Sequence, residues 1–254
     1  MEFELSLAIL GISAVAFLTS AITSIVGAGG GTALLLVMVL ILPASAVVPV
    51  HGCIQLVSNS TRVILFRHHM KWPVILRFVA TMPLGVFVGL QLYDYLDATG
   101  LQLVIACGVL ASLAIRPSQK QSQSGLPLGV YYPLGFVIGI GNILVGVLSP
   151  LLGAILRFES LQKEQMVATL GFFGFAGNIM KVAGFTFIGF SFWPYMPLII
   201  CASLAAIFGS IIGKKLLTGL SNQGFAKAFQ IMLICLAGKI IWDVIKNSLY
   251  DFAF

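Results

Sequence analysis

Between Leu5 and Val26 the chain carries no charged side chain. Long apolar runs recur along its whole length, and they limit what it can fold into. About 20 apolar residues cross one bilayer core as a helix. Of the 254 residues, 59% are hydrophobic and 9% charged. An ordinary soluble domain has about 45–50% and about 25%. The excess apolar area must face lipid, because a protein in water rarely leaves large apolar patches exposed. A soluble enzyme, a nucleic-acid-binding domain and a disordered chain are excluded, and too little chain remains for a soluble domain. The four cysteines, Cys53, Cys107, Cys201 and Cys235, lie in apolar runs without metal-ligand spacing and read as small apolar fillers. The acidic start, Met1-Glu2-Phe3-Glu4, lacks the basic region of a signal peptide.

The apolar segments fall into two halves. The first half reads as 5–26, 32–42, 47–66, 72–92 and 100–115. A polar stretch rich in Ser, Gln and Lys then divides the chain, giving a first repeat over 1–116, a linker over 117–127 and a second repeat over 128–254. The second half reads as 128–148, 151–156, 164–187, 192–213 and 224–245. Segments 32–42 and 151–156 are too short to span as helices at about 1.5 Å per residue. They read as half-helices, which are tolerated only beside protein or a wet cavity.

A shift of about 119 residues pairs Phe17 with Phe136, Gly27 with Gly146, Asn59 with Asn178 and Val63 with Val182. The same shift sets Arg62 on Lys181, a cation on a cation. Intramembrane asparagine and a cation in one register are harder to obtain by chance than glycine matches. The basic loops 67–71, 116–120 and 214–215 face the cytoplasm under the positive-inside rule, and the acidic loop 94–97 faces out. Threaded this way, the second half enters from the opposite side and both termini lie outside. The expected fold is all-α: a polytopic membrane helical bundle of two inverted repeats with Gly-broken helices and short half-helices, a plan common in secondary transporters.

An ionised side chain at a helix centre costs about 2.5–3.5 kcal/mol on insertion scales, so those within spans are informative. His51, Gln55, Asn59 and Arg62 are spaced to fall within roughly 80° of arc on one helix. Ser58 lies on the same side. Asn178 and Lys181 repeat the lower part of the stripe, with Gly174 in place of Gln55. The expectation is that the two stripes face each other across a central cavity. No carboxylate lies deep in these spans, so two cations without a buried anion point to an anion brought from outside. Lys239 is different, because Asp243 follows at i+4 and can pair with it. His51 is the histidine placed within a span, and imidazole leaves proton coupling open. His68 and His69 read as solvated interface residues.

The run Gly27-Ala28-Gly29-Gly30-Gly31-Thr32 lets the backbone unwind in mid-membrane. Freed amides of Gly27, Gly29, Gly30 and Gly31 and the N-terminus of the following helix would attract an anion. A nucleotide loop is rejected, because no Gly-Lys-Ser/Thr ending follows and no strand precedes the run. Gly85-x-x-x-Gly89 and Gly209-x-x-x-Gly213 read as helix-packing motifs.

A Gly-rich break opening each half, followed by a polar third segment, resembles the sulfite exporter TauE/SafE family, also called the four-TMS anion exporter family. The resemblance covers nearly the whole chain. The second half departs from the pattern at Gly146-Val147-Leu148-Ser149-Pro150, where only Gly146 and Pro150 persist. That departure favours one asymmetric site over two equal ones. The resemblance implies export of sulfite or small organosulfonates across the inner membrane by a multi-pass protein.

The leading expectation is therefore a transporter of a small anion at a midplane site between the repeats. Its partners are that anion and the lipid bilayer, with no nucleic acid, no cofactor and no metal, and homo-oligomerisation is left open. An intramembrane enzyme would need a nucleophile with its base, which His51 lacks at helical spacing. A metal-ion carrier conflicts with the buried cations. A membrane assembly or scaffold protein is the alternative, but it does not require asparagine and a cation repeated in both halves.

Overall fold

The computed structural model describes residues 2–26, 28–114, 126–156, 159, 161–216, 234, 237–238 and 240–246. Gly27, Lys239, Cys235 and most of the linker lie outside the described residues. The described chain is helical, without strands: α1 (Glu2–Val26), α2 (Gly30–Val39), α3 (Ala44–Leu65), α4 (Trp72–Tyr93), α5 (Ala98–Ala114), α6 (Tyr131–Leu144), α7 (Ser149–Leu156), α8 (Lys163–Phe187) and α9 (Met196–Leu216). Residues 240–246 form part of a further helix.

Four stretches are long and apolar enough to cross a bilayer: Ser6–Ile25, Trp72–Tyr93, Lys163–Phe187 and Trp193–Leu216. Helix α3 matches α4 in length, at 22 residues, but its polar stripe sets it apart from these four. The segments expected to be half-helices are α2, with 10 residues, and α7, with 8. Segment 128–148 is broken up more than its apolarity suggests. It opens as a 3-10 turn over Leu128–Val130, continues as the 14-residue α6, and stops where Gly146 takes φ +86°. A matching stop precedes α2, where Gly29 takes φ 98°. A side chain resists that left-handed geometry, so glycine allows the breaks.

Proline fixes the upper end of α3. Pro43 precedes the helix, and Pro49 sits inside it without an amide to donate. The carbonyl one turn back, on Ser45, therefore lacks its usual donor. The Tyr93 hydroxyl at the end of α4 donates to it at 3.2 Å. That bond ties α4 to the entry of α3.

The two Gly-x-x-x-Gly motifs hold the bundle together. A Cβ on Gly209 would collide with the Phe17 carbonyl, and one on Gly213 with the Ala21 carbonyl, so α9 lies backbone to backbone on α1. Gly85 meets the Phe136 carbonyl and Gly89 meets Ile140, so α4 lies as closely on α6. Gly135 of α6 returns the contact against the Phe78 carbonyl of α4. Small residues let helices approach closely where lipid supplies no hydrophobic drive between them. The pairing crosses the linker both ways, each half's first helix packing on the other half's fourth.

Between these two pairs, α3 crosses α8 in antiparallel fashion. A Cβ on Gly52 would lie 2.8 Å from Lys181 Cδ, one on Gly174 2.5 Å from Asn59 Nδ2, and one on Gly171 3.4 Å from Arg62 Cβ. Residue numbers rise on one helix as they fall on the other.

Gly85→Ala forces backbone apart at the α4–α6 contact and is expected to destabilise the protein by about 1–3 kcal/mol. Gly129→Ala, where a Cβ meets nothing within 4 Å, is the control. Thermal unfolding in detergent checks this, and equal melting of the two variants would contradict the packing role.

Candidate functional site

The polar stripe of α3 is buried along its whole length. His51 is 1% exposed, Gln55 4%, Asn59 6% and Arg62 4%. Four polar side chains inside an apolar bundle are costly unless paired. Arg62 Nη2 donates to Asn59 Oδ1 one turn back on the same helix. The His51 Nε2–H donates to the Gly31 carbonyl at 2.9 Å. Ser58, on the same side of α3, instead meets Ser20 of α1 at 3.0 Å between hydroxyl oxygens.

On α8, Asn178 and Lys181 are likewise buried. Asn178 Nδ2 donates to the Gly174 carbonyl at 2.7 Å. Lys181 Nζ donates to Asn178 Oδ1 at 3.2 Å and to the Gly146 carbonyl at 2.5 Å. Among the described residues, neither Arg62 nor Lys181 has a carboxylate partner.

A cavity of about 60 Å³ lies where these elements meet. One water needs roughly 10–15 Å³ on that measure, so the space suits a few waters or one small ion. His51, Gln55, Asn59, Arg62 and Asn178 all line it, as does Gly31 at the start of α2. Lys181 does not. Its ammonium is tucked behind Asn178, on the carbonyl freed at the second helix break.

The glycine run divides its labour. Gly31 reaches the cavity with its carbonyl already held by His51. Gly30 is a packing residue, because a Cβ there would collide with Thr19 and Thr23 of α1. The Gly29 amide donates to Ser149 Oγ at 3.3 Å, linking the two breaks. Neither Gly29 nor Gly30 lines the cavity.

Three polar lining residues escaped the sequence reading: Thr23, Asn142 and Ser149. Asn142 donates through Nδ2 to the Gly177 carbonyl at 2.8 Å. Thr23 and Asn142 stand in the same register of about 119 residues that pairs Asn59 with Asn178. That register was the signal that could have found them. The rest of the second-half wall is mostly apolar, with Ile138, Val147, Leu148, Leu170 and Phe173 facing the α3 stripe.

The family model described as Sulfite exporter TauE/SafE matches residues 12–240. The chain belongs to this family. No curated protein and no solved structure gives a match. Membership in the TauE/SafE family, with four long apolar helices, makes the chain a multi-pass membrane protein of a transporter family. In this TauE/SafE chain the family match spans every residue that lines the cavity.

Asn59 is packed directly on Gly174, so that glycine is a handle on the site. Gly174→Ala would push the Asn59 carboxamide, the movable end of a side chain, and disturb its bond from Arg62. The expected outcome is anion binding weakened by about fivefold or more with the fold retained. Ligand-induced thermal shift compared with Gly129→Ala checks it, and equal shifts would remove Asn59 from the site.

Proposed function

We propose that the chain is an inner-membrane exporter of a small anion, sulfite or an organosulfonate, working by alternating access. The observation that carries this reading is Arg62. It is buried, it lines a cavity of small-ion size, and no carboxylate among the described residues neutralises it. A buried charge without a counter-ion is expensive, and a substrate anion supplies one. Asn59, Gln55 and Asn178 would bind its oxygens through their amides. Gly31, at the N-terminus of α2, adds the favourable end of the helix dipole.

Two inverted repeats, 1–116 and 128–254 joined by the linker 117–127, supply the moving parts in this reading. The exchanged pairing of α1 with α9 and of α4 with α6 supports it, as do glycine breaks of left-handed φ in both halves. Rocking of these two helix pairs about the α3–α8 crossing would open the cavity to one side and then the other. Lys181 then acts as a positioning residue, holding the second break against α8 rather than touching the anion.

Export of an anion needs no coupled ion. A potential of about 100 mV, negative inside, drives each negative charge outward with about 2.3 kcal/mol. An assembly or scaffold role leaves the unneutralised Arg62 beside a cavity without a purpose.

Sulfite and sulfoacetate flux from proteoliposomes tests the proposal. Arg62→Gln is expected to slow flux by at least about tenfold relative to Gly129→Ala. An imposed inside-negative potential is expected to accelerate efflux. Unchanged flux in Arg62→Gln would overturn the site, and flux blind to potential would overturn uncoupled electrogenic export. Cysteines placed at Asp94 and His68 should label from opposite sides of the membrane.

A further inference from the structure

The cavity reaches close to one end of the bundle. Arg62, which lines it, sits in the last turn of α3. Gly171 of α8 faces Arg62, and its neighbour Leu170 lines the cavity. Phe66 follows Arg62 by four residues, about 6 Å along the axis. Val167 precedes Leu170 by three residues on the antiparallel α8. Phe66, Val167 and Ala168 form a small buried apolar cluster. Immediately beyond it, Arg67, His68 and His69 are exposed. One apolar layer therefore separates the cavity from the basic face.

That layer is lightly held. Among the buried residues it stands apart from the main core, and the partly buried Met70 bridges the two. The opposite end is closed more deeply. Edge-on contacts chain the rings of Tyr93, Phe185, Phe190 and Phe192, and the Tyr93 hydroxyl ties α4 to α3. Opening the basic end disturbs less packing.

Lys214 of α9 holds this layer from outside. Its Nζ donates to the Leu65 carbonyl at 2.8 Å and lies 5.3 Å from the centre of the Phe66 ring. The carbonyl is one that the end of α3 leaves without a helical donor. The ring contact adds a cation–π attraction. Phe66 is the residue just past α3, so its ring can swing without unwinding the helix. Gly213, next to Lys214, lies against the Ala21 backbone, so Lys214 travels with the α1–α9 pair. When that pair rocks, the ammonium leaves the ring and the carbonyl together.

We propose that Phe66, backed by Val167 and Ala168, is the gate of the anion path at its basic face, and that Lys214 latches it shut. This rests on the anion-transport reading above and adds the residues that control entry. Lys214 is a positioning residue, acting through Phe66 rather than on the anion. An anion arriving at this face meets Arg67, His68, His69 and Lys215, all exposed, before the gate. Clustered positive charge raises its local concentration there.

The test uses the full chain with its four cysteines replaced by alanine and Leu170→Cys added as a reporter in the cavity. A membrane-impermeant, negatively charged methanethiosulfonate is applied to each face of oriented vesicles in turn. Labelling of a separate His68→Cys variant shows which face carries the basic loop. Phe66→Ala should speed labelling from the basic face by at least about tenfold and leave the rate from the other face unchanged. Lys214→Met should speed it by about threefold, while Lys214→Arg, which keeps the charge, should stay within about twofold of the parent. Phe66→Leu, which keeps bulk without a ring, should fall between the parent and Phe66→Ala, and it carries the test if Phe66→Ala does not fold. No gain from the basic face in the folded Phe66 variants, or equal gains from both faces, overturns the gate. Sulfite flux in the same vesicles separates the two readings. One-sided gains without flux above leak would overturn transport and leave Phe66 as the closure of the cavity.

Discussion

Lys181 is the point on which the arrangement turns. Its ammonium is fully buried in a bundle of apolar helices, where an unpaired charge would cost several kcal/mol. Its partners are a carbonyl and an amide oxygen, not a carboxylate. The carbonyl belongs to Gly146, where left-handed backbone ends the run of α6. A continuous helix would have spent that carbonyl on its own amide four residues on. The break and the buried lysine therefore satisfy each other. Removing either would leave a buried polar group unmatched, at about 1–3 kcal/mol for the neutral partner and more for the charged one. The bond also fixes α8 against the break, and the cavity lies just beyond.

Such a polar centre depends on how tightly the apolar frame is drawn around it. Backbone contact at Gly85 and Gly89 on one side, and at Gly209 and Gly213 on the other, leaves little slack between the paired helices. The stacked Phe78 and Phe173 rings, with centroids 3.9 Å apart, close the space between α4 and α8. Within this close frame, the cavity of about 60 Å³ lies where polar side chains of α3 and α8 converge. That is why the cavity is small, with its longest polar stripe on α3.

Much of this was legible in the sequence, for reasons that differ by residue. His51, Gln55, Asn59 and Arg62 repeat with helical period, so their common face followed from 100° per residue. The glycine breaks were legible because a Gly-rich run within apolar sequence cannot be an ordinary span. The direction of each group was not. Lys181 shares a register with Arg62, yet it turns away from the cavity because its partner is a carbonyl from another element, 35 residues earlier. The Gly29 amide was expected to be free for an anion, but the Ser149 hydroxyl from the other half takes it. Side-chain partners that arrive from distant sequence leave no local periodicity to read. Segment 128–148 was overestimated for the same reason. Its apolarity is continuous, and only the backbone at Gly146 shows where α6 stops.

The two halves share a register but not a role at the centre. Where the first half places His51, the second places Leu170; where it places Gln55, the second places Gly174. Arg62 lines the cavity, and Lys181 is committed to the break. The asymmetry has a physical logic. Two cations free on one cavity of this size would repel each other and demand a doubly charged ligand. Committing one of them to neutral oxygens leaves a single positive charge to be answered. The second-half wall mixes apolar Ile138, Val147, Leu148, Leu170 and Phe173 with polar Asn142, Ser149 and Asn178. Arg62 is therefore the charged group among the described residues that line the cavity, with neutral polar groups from both halves around it.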